Sequence, residues 1–136
     1  PSLDATVNGR SLMRLAGIAP IAAVADPAAT AAWFVETLGF EQRSADDGNT
    51  YRLVARDEAA VVLVGPADAE SLAATARHVS AYVWVDDLDA LWAALAKRLE
   101  ALEPGRVRAP FRQTYGMREF HVKTPDGFLV LFGEEG

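Results

Sequence analysis

An echo within the chain constrains the fold more than any other feature. The stretch "IAAVADPAATAAWFVETLGF" at residues 21–40 and the stretch "AYVWVDDLDALWAALAKRLE" at 81–100 carry the same succession: apolar strand, Asp cap, amphipathic helix. In the first copy Ile18 to Val24 reads as the strand, and Asp26-Pro27 as the helix start, because Asp is a good N-cap and Pro suits the first helical position. Ala31, Phe34, Val35 and Leu38 then recur at i, i+3, i+4, i+7, and Gly39 is placed to end the helix. In the second copy Val79 to Val85 is the strand and Asp86-Asp87 the cap. Leu88, Leu91, Trp92, Leu95, Leu99 and Leu102 form the helical stripe, which Pro104-Gly105 closes.

Three strand candidates follow each helix. In the first half they are Phe40 to Ser44, Tyr51 to Arg56 and Ala59 to Val64, separated by turn formers at Asp46-Asp47-Gly48-Asn49 and Asp57-Glu58. In the second half they are Val107 to Arg112, Arg118 to Lys123 and Phe128 to Gly133, the last two joined by Thr124-Pro125-Asp126-Gly127. The expected architecture is α+β: two βαβββ modules, at about residues 15–65 and 78–134, within a single domain 15–136. Residues 66–77 read as a polar, Ala-rich connection, and residues 1–14 as a tail or extra segment. A chain of 136 residues is long enough to bury one sizeable core without staples.

Composition narrows the function classes. A net charge of -6 weighs against nucleic acid, whose backbone is gripped mainly by clustered Lys and Arg, and suits cationic or neutral ligands better. No run approaches the about 20 apolar residues of a membrane span, and no secretory signal is read at the N-terminus. The chain has no cysteine, which excludes disulfides, thiolate metal sites and a thiol nucleophile, and a cytoplasmic location is expected. There is no GxSxG elbow, no GxGxxG or P-loop cradle and no HExxH zinc helix.

Three segments, "WFVETLGFE" at 33–41, "YVWVDDLDALW" at 82–92 and "YGMREFHVKTPDGFLVLFGE" at 115–134, together with the doubled βαβββ order, resemble the vicinal oxygen chelate superfamily over residues 18–134. That superfamily includes glyoxalase I, extradiol dioxygenases and bleomycin-resistance proteins, and the "LGF" and "YG-REF…PDG…FGE" pieces look most like the last branch. The resemblance implies curved mixed sheets whose concave sides form a ligand cup, with helices covering the opposite side. Strand alternation then puts Val79, Ala81, Val83 and Val85 under a helix and Ser80, Tyr82 and Trp84 in the cup. On the last strands it puts Phe120, Val122, Phe128, Val130 and Phe132 inward and Glu119, His121, Leu129 and Leu131 in the cup.

Metal-dependent relatives place His, Gln or Glu at four cup positions. Their counterparts by the resemblance are Ala19, a residue of Ala60-Val61-Val62, Ser80 and Leu131, which do not make a competent ligand set. No metal and no other cofactor is therefore expected. His78 shares the parity of Ser80, so a two-residue shift of register would make it a ligand. His121 matches a position where extradiol dioxygenases carry an acid-base tyrosine. It reads either as a hydrogen-bonding or proton-transfer group or as a satisfied polar residue on a strand.

Tyr51, Tyr82, Trp84 and Tyr115 correspond to aromatic residues that sandwich the flat part of the drug in bleomycin-resistance proteins. With Glu119, His121 and Leu131 they make up the expected binding surface, although Tyr82 and Trp84 also read as plain core. Glu119 is expected to meet a cationic ligand, Arg118 to anchor the sheet or a subunit contact, and Asp46 and Asp47 to form a turn. Trp33 and Trp92 are assigned to packing. Ser44 stands where the drug-binding relatives carry an aromatic residue, which puts an identical drug sandwich in doubt. The resemblance thus implies a metal-free small-molecule-binding protein and homodimer that sequesters a planar antibiotic or related compound, cationic or neutral. The alternative is a lyase, isomerase or oxygenase using a divalent metal through His78, His121 and Glu119, or His121 alone as acid-base. A binding accessory or immunity module for a biosynthetic pathway is a third reading.

Overall fold

The computed structural model describes residues 6–11 and 13–135. A short antiparallel hairpin, β1 (Thr6–Val7) and β2 (Arg10–Ser11), comes first. Asn8 and Gly9 at its tip both have positive φ, at 51° and 78°, as a tight two-residue hairpin turn requires. Part of the expected N-terminal tail is therefore structured, and residues 1–5 and 12 lie outside the described residues.

The first module is β3 (Ile21–Ala23), α1 (Pro27–Leu38), β4 (Glu41–Ala45), β5 (Tyr51–Arg56) and β6 (Ala59–Val64). The second is β7 (Ser80–Trp84), α3 (Leu88–Glu100), β8 (Val107–Arg112), β9 (Met117–Lys123) and β10 (Leu129–Glu135). Their sheets have the orders β3-β6-β5-β4 and β7-β10-β9-β8, so first strand pairs with last in each, and in parallel. All other pairs are antiparallel. The crossover helix after each first strand permits the parallel pair, and hairpins supply the rest.

The caps act as their residue types dictate. The Asp26 side chain accepts from the Ala29 backbone N–H at 3.2 Å, Pro27 opens α1, and Gly39 at φ 73° ends it. Arg56 reaches from β5 to donate to the Leu38 carbonyl at 2.9 Å, satisfying one of the open carbonyls at that end. Asp87 caps α3 by accepting from Ala90 N–H at 3.0 Å, while Glu134 accepts from Leu88 N–H at 2.9 Å. The turn between β9 and β10 also ties the modules together, because Asp126 accepts from the Ala25 backbone N–H at 3.0 Å.

Two expectations are corrected. The connection at 66–77 contains a third helix, α2 (Ala69–His78), capped by Asp68, which accepts from Ser71 N–H at 2.8 Å. Thr75 is its one buried residue, and the helix, though amphipathic, is low in overall hydropathy because its apolar side is mostly alanine, so it reads as a polar, Ala-rich connection. The helix also carries His78 to its exposed C-terminal end and off the strand, which removes the register-shift reading of that histidine. Phe128, expected on the last strand, belongs to the preceding turn: its N–H reaches the Thr124 hydroxyl at 3.1 Å and its carbonyl accepts from Thr124 N–H at 2.9 Å.

Both modules contribute to one core. Ala22, Phe34, Leu38, Val54 and Leu63 pack in the same cluster as Leu95, Leu99, Phe120, Val130 and Phe132. The helix-facing and concave-facing sets on β7, β9 and β10 alternate as expected, with Ala81, Phe120, Val122, Val130 and Phe132 buried. On α1 the apolar stripe is narrower than the spacing suggests, since Ala31, Phe34 and Leu38 are buried and Val35 is 41% exposed. Phe34 touches Trp33 and Phe40 edge to face, and Trp92 packs on Phe120 with ring centroids 5.2 Å apart. Phe34→Ala should therefore cost about 3–5 kcal/mol in urea unfolding, and Val35→Ala less than about 1 kcal/mol. Equal costs would show that the helix presents a different face to the core.

Candidate functional site

Register places the concave face of the second sheet in rows. Tyr82 on β7, Leu131 on β10, His121 on β9 and Arg108 on β8 are cross-strand partners and form one row. Trp84, Gly133, Glu119 and Phe111 form the next. Arg108 and Phe111 are three residues apart, so in a regular strand they would point to opposite faces. The β-bulge between them restores both to the concave side. An equivalent bulge interrupts β4 between Gln42 and Ser44.

Glu119 is at the centre of this face and is 0% exposed. Such a carboxylate is tolerable only if its lone pairs are filled. Oε1 accepts from Gln113 Nε2 at 3.1 Å and from His121 Nε2 at 2.7 Å. Oε2 accepts from the Tyr82 hydroxyl at 2.7 Å and from the Tyr115 hydroxyl. Burial alone would raise the Glu119 pKa, but the donors from Tyr115, His121, Tyr82 and Gln113 outweigh it and hold the group down to about 2. Burial, followed by the bond to Glu119, pushes the Tyr82 phenol up, while the Glu119 bond, followed by burial, pushes the Tyr115 phenol up. Both tyrosines are neutral donors. Because an ionised carboxylate only accepts, His121 carries its proton on Nε2 and turns Nδ1 away from Glu119.

Gly133 makes the cluster possible. Tyr82 leans along the sheet across this glycine to reach Glu119, and a Cβ there would coincide with the Tyr82 hydroxyl. Tethered in this way, the Tyr82 ring lies 4.9 Å from the Trp84 ring at 54°. Trp84 is 68% exposed and Tyr115 61% exposed, so neither is plain core. His121 meets the Phe111 ring edge-on at 5.0 Å.

Six of the expected binding residues, Tyr82, Trp84, Tyr115, Glu119, His121 and Leu131, thus share one sheet face. Tyr51 does not join them: it is half-buried on the other sheet, opposite Val64. Its concave neighbours there are apolar, with Ile21 and Val62 partners and Leu53 beside them. Glu119 offers no lone pair to a cation, contrary to the expectation for a direct contact with a charged ligand. Arg118 pairs with Asp89 of α3 at 2.8 Å and so anchors the sheet to its helix. Asp46 accepts from the backbone of Thr50 and Tyr51 as a turn former.

The positions matching the metal ligands of relatives separate into two groups. Ala19, Ala60, Val61 and Ser80 line a groove of about 630 Å³ between the modules, with Tyr82 and Trp84 at its side. Leu131 is on the concave face. One hydroxyl among alkyl groups does not fit a divalent ion, and no group of three or more His, Cys, Asp or Glu able to hold a metal occurs among the described residues. Among those residues, no helix is long and apolar enough to cross a membrane. Gln113 and Gly133 were not anticipated as parts of the site. The glycine of "LFGE" at 131–134 carries a signal, since a glycine inside a strand often marks close approach by another group.

A family model described as Glyoxalase/Bleomycin resistance protein/Dioxygenase superfamily matches residues 15–132. The bleomycin-binding protein from bleomycin-producing Streptomyces verticillus, solved with copper(II)-bleomycin, is 25% identical with a TM-score of 0.71, covering 92% of this chain and 100% of its own. A bleomycin resistance determinant encoded on transposon Tn5 is 23% identical with a TM-score of 0.66, covering 87% of this chain and 96% of its own. A glyoxalase-related enzyme from Clostridium phytofermentans is 20% identical with a TM-score of 0.64, covering 96% and 100%. No curated protein matches the chain.

The Glu119 cluster makes stability depend on pH with a definite sign. The folded-state pKa, about 2, lies below the ordinary value of 4.5, so the contribution is complete above pH 4.5 and is lost as pH falls toward 2. Urea melts of the wild type should weaken across that window, and those of Glu119→Gln should change less steeply. Gly133→Ala should lower the melting temperature at neutral pH and release Tyr82 from Glu119. An unchanged Tyr82 environment, read by proton chemical shift, would contradict the steric argument.

Proposed function

Because the chain belongs to the Glyoxalase/Bleomycin resistance protein/Dioxygenase superfamily, we propose that it binds a planar small molecule on the aromatic concave face of its second module and sequesters it unchanged, without a metal ion. One observation carries this reading. Tyr82 is pinned through its hydroxyl to a buried carboxylate, so its ring and that of Trp84 form a preorganised platform whose ordering cost is met before any guest arrives. The copper(II)-bleomycin complex of the similar Streptomyces verticillus protein supports an antibiotic or related compound as guest.

The proposed functional unit is a homodimer. Trp84 and Tyr115 on one concave face and Ile21, 63% exposed, with Val64 on the other leave apolar surface that a second copy would cover. Metal-free acid-base chemistry by His121 is the second reading. It is favoured by the 2.7 Å bond that His121 Nε2 donates to Glu119, which fixes one ring nitrogen and leaves the other without a partner among the described residues.

Tryptophan fluorescence tests the proposal, because Trp33 and Trp92 are packed while Trp84 is open. Compounds with a flat heteroaromatic part, bleomycin among them, should quench it. Trp84→Ala should remove the response and weaken binding by about 0.5–1.5 kcal/mol in calorimetry. A guest recovered with altered mass after incubation would favour the enzyme. Sedimentation should give twice the chain mass.

A further inference from the structure

The charges on the concave face are not the ones that the chain's net charge of -6 suggests. By register the ionisable groups on this side of the second sheet are Glu119, His121, Lys123, Glu135 and Arg108. Glu119 is buried and its four acceptor positions are occupied. Glu135 lies at the far end of β10, opposite Met117 and beyond the Trp84 row. Lys123 is exposed at the other end, opposite Leu129. At the level of the aromatic platform the accessible full charge is therefore Arg108.

Arg43, Arg52 and Arg118 each pair with a carboxylate, and Arg56, Arg106 and Arg112 donate to backbone carbonyls. Arg108 shares with Arg14, Arg77 and Arg98 a side chain that makes no hydrogen bond or ion pair among the described residues, and of these four it is the one that the sheet register puts on the concave face. Its guanidinium instead lies over the Phe111 ring, 3.4 Å from the centroid. That contact uses the flat face of the guanidinium and holds it in one plane. The in-plane N–H groups stay free, and a guanidinium edge is the fork that matches the two oxygens of a carboxylate, sulfonate or phosphate. The bulge between Arg108 and Phe111 creates the arrangement, because it brings both side chains to the same face.

The spacing suits a single guest. Tyr82 and Arg108 are at the two ends of one row, three strand spacings or about 14 Å apart at the backbone. Tyr82 leans across Gly133 to Glu119 and the Arg108 guanidinium lies over Phe111, the cross-strand partner of Glu119, which leaves a shorter gap that a fused-ring compound with a pendant acid group spans. Resting on the proposed binding of a planar guest, we infer that this guest is an aromatic acid. Its rings lie on Tyr82 and Trp84, and its carboxylate or an equivalent oxyanion takes the edge of Arg108. A cationic guest would meet this free guanidinium and would find the nearby carboxylate closed to it.

Three probes of one shape test this: anthracene-2-carboxylate, 2-(hydroxymethyl)anthracene and 2-(aminomethyl)anthracene, titrated calorimetrically into the full chain at low salt. The carboxylate should bind about tenfold tighter than the ammonium compound, the scale of a hydrogen-bonded charged contact. Raising the salt should narrow the gap. Arg108→Gln should bring the carboxylate to within about twofold of the alcohol, and Arg108→Lys should restore part of the preference. A far-UV circular dichroism spectrum and melting temperature close to those of the wild type show that each variant is folded. If all three probes bind wild type and the ammonium compound matches or exceeds the carboxylate, or if Arg108→Gln leaves the ratio intact, the inference fails while the binding reading stands. If none of the three binds, both fail together.

Discussion

A carboxylate removed from water and surrounded by four donors is the interaction on which the second module's concave face depends. Two tyrosines, a glutamine and a histidine, contributed by β7, β9 and the loop after β8, converge on Glu119. Removing any one leaves the rest with an underfilled buried charge, so the members act as a unit and not as separate pairs. The charge is stable in its hollow because each lone pair is met, and the same bonds orient the rings of Tyr82, Tyr115 and His121. Rigidity at the site thus comes from electrostatics acting through hydroxyl groups, while the core beneath it comes from ordinary apolar packing.

The duplicated frame was legible because the signals were local. Asp26-Pro27, Asp87 and Gly39 marked helix ends by their own chemistry, and strict alternation sorted Val79 to Val85 into two faces. The helix over Ala69–His78 escaped because it buries little and its apolar side is mostly alanine, so its rhythm is easily read as a polar connection. The site was legible only in part. Parity on two strands places Tyr82, Trp84, Glu119 and His121 on one side, but it gives no information on which polar groups join hands. The Glu119 cluster depends on a missing Cβ at Gly133, and the Arg108–Phe111 contact on a bulge that reverses parity midway along β8. Both are departures from regular strand geometry, where pattern reading has the least purchase.

The two halves share topology without sharing chemistry. Each sheet has its first strand parallel to its last, and each second strand is bulged at a comparable place. The first half presents Ile21, Leu53, Val62 and Val64, an apolar plate with Tyr51 at one end. The second half holds the ionised cluster, the aromatic platform and the stacked guanidinium.

The position of β8 at the outer edge of its sheet has an evolutionary corollary. It pairs on one flank only, through β9, and it supplies Arg108 and Phe111, while the donors to Glu119 come from β7, β9 and the loop that follows β8. Substitutions along this margin can retune what is recognised without dismantling the platform or the interior. On the proposed reading, a lineage built on this frame would change the compounds it binds by drift at a single border strand.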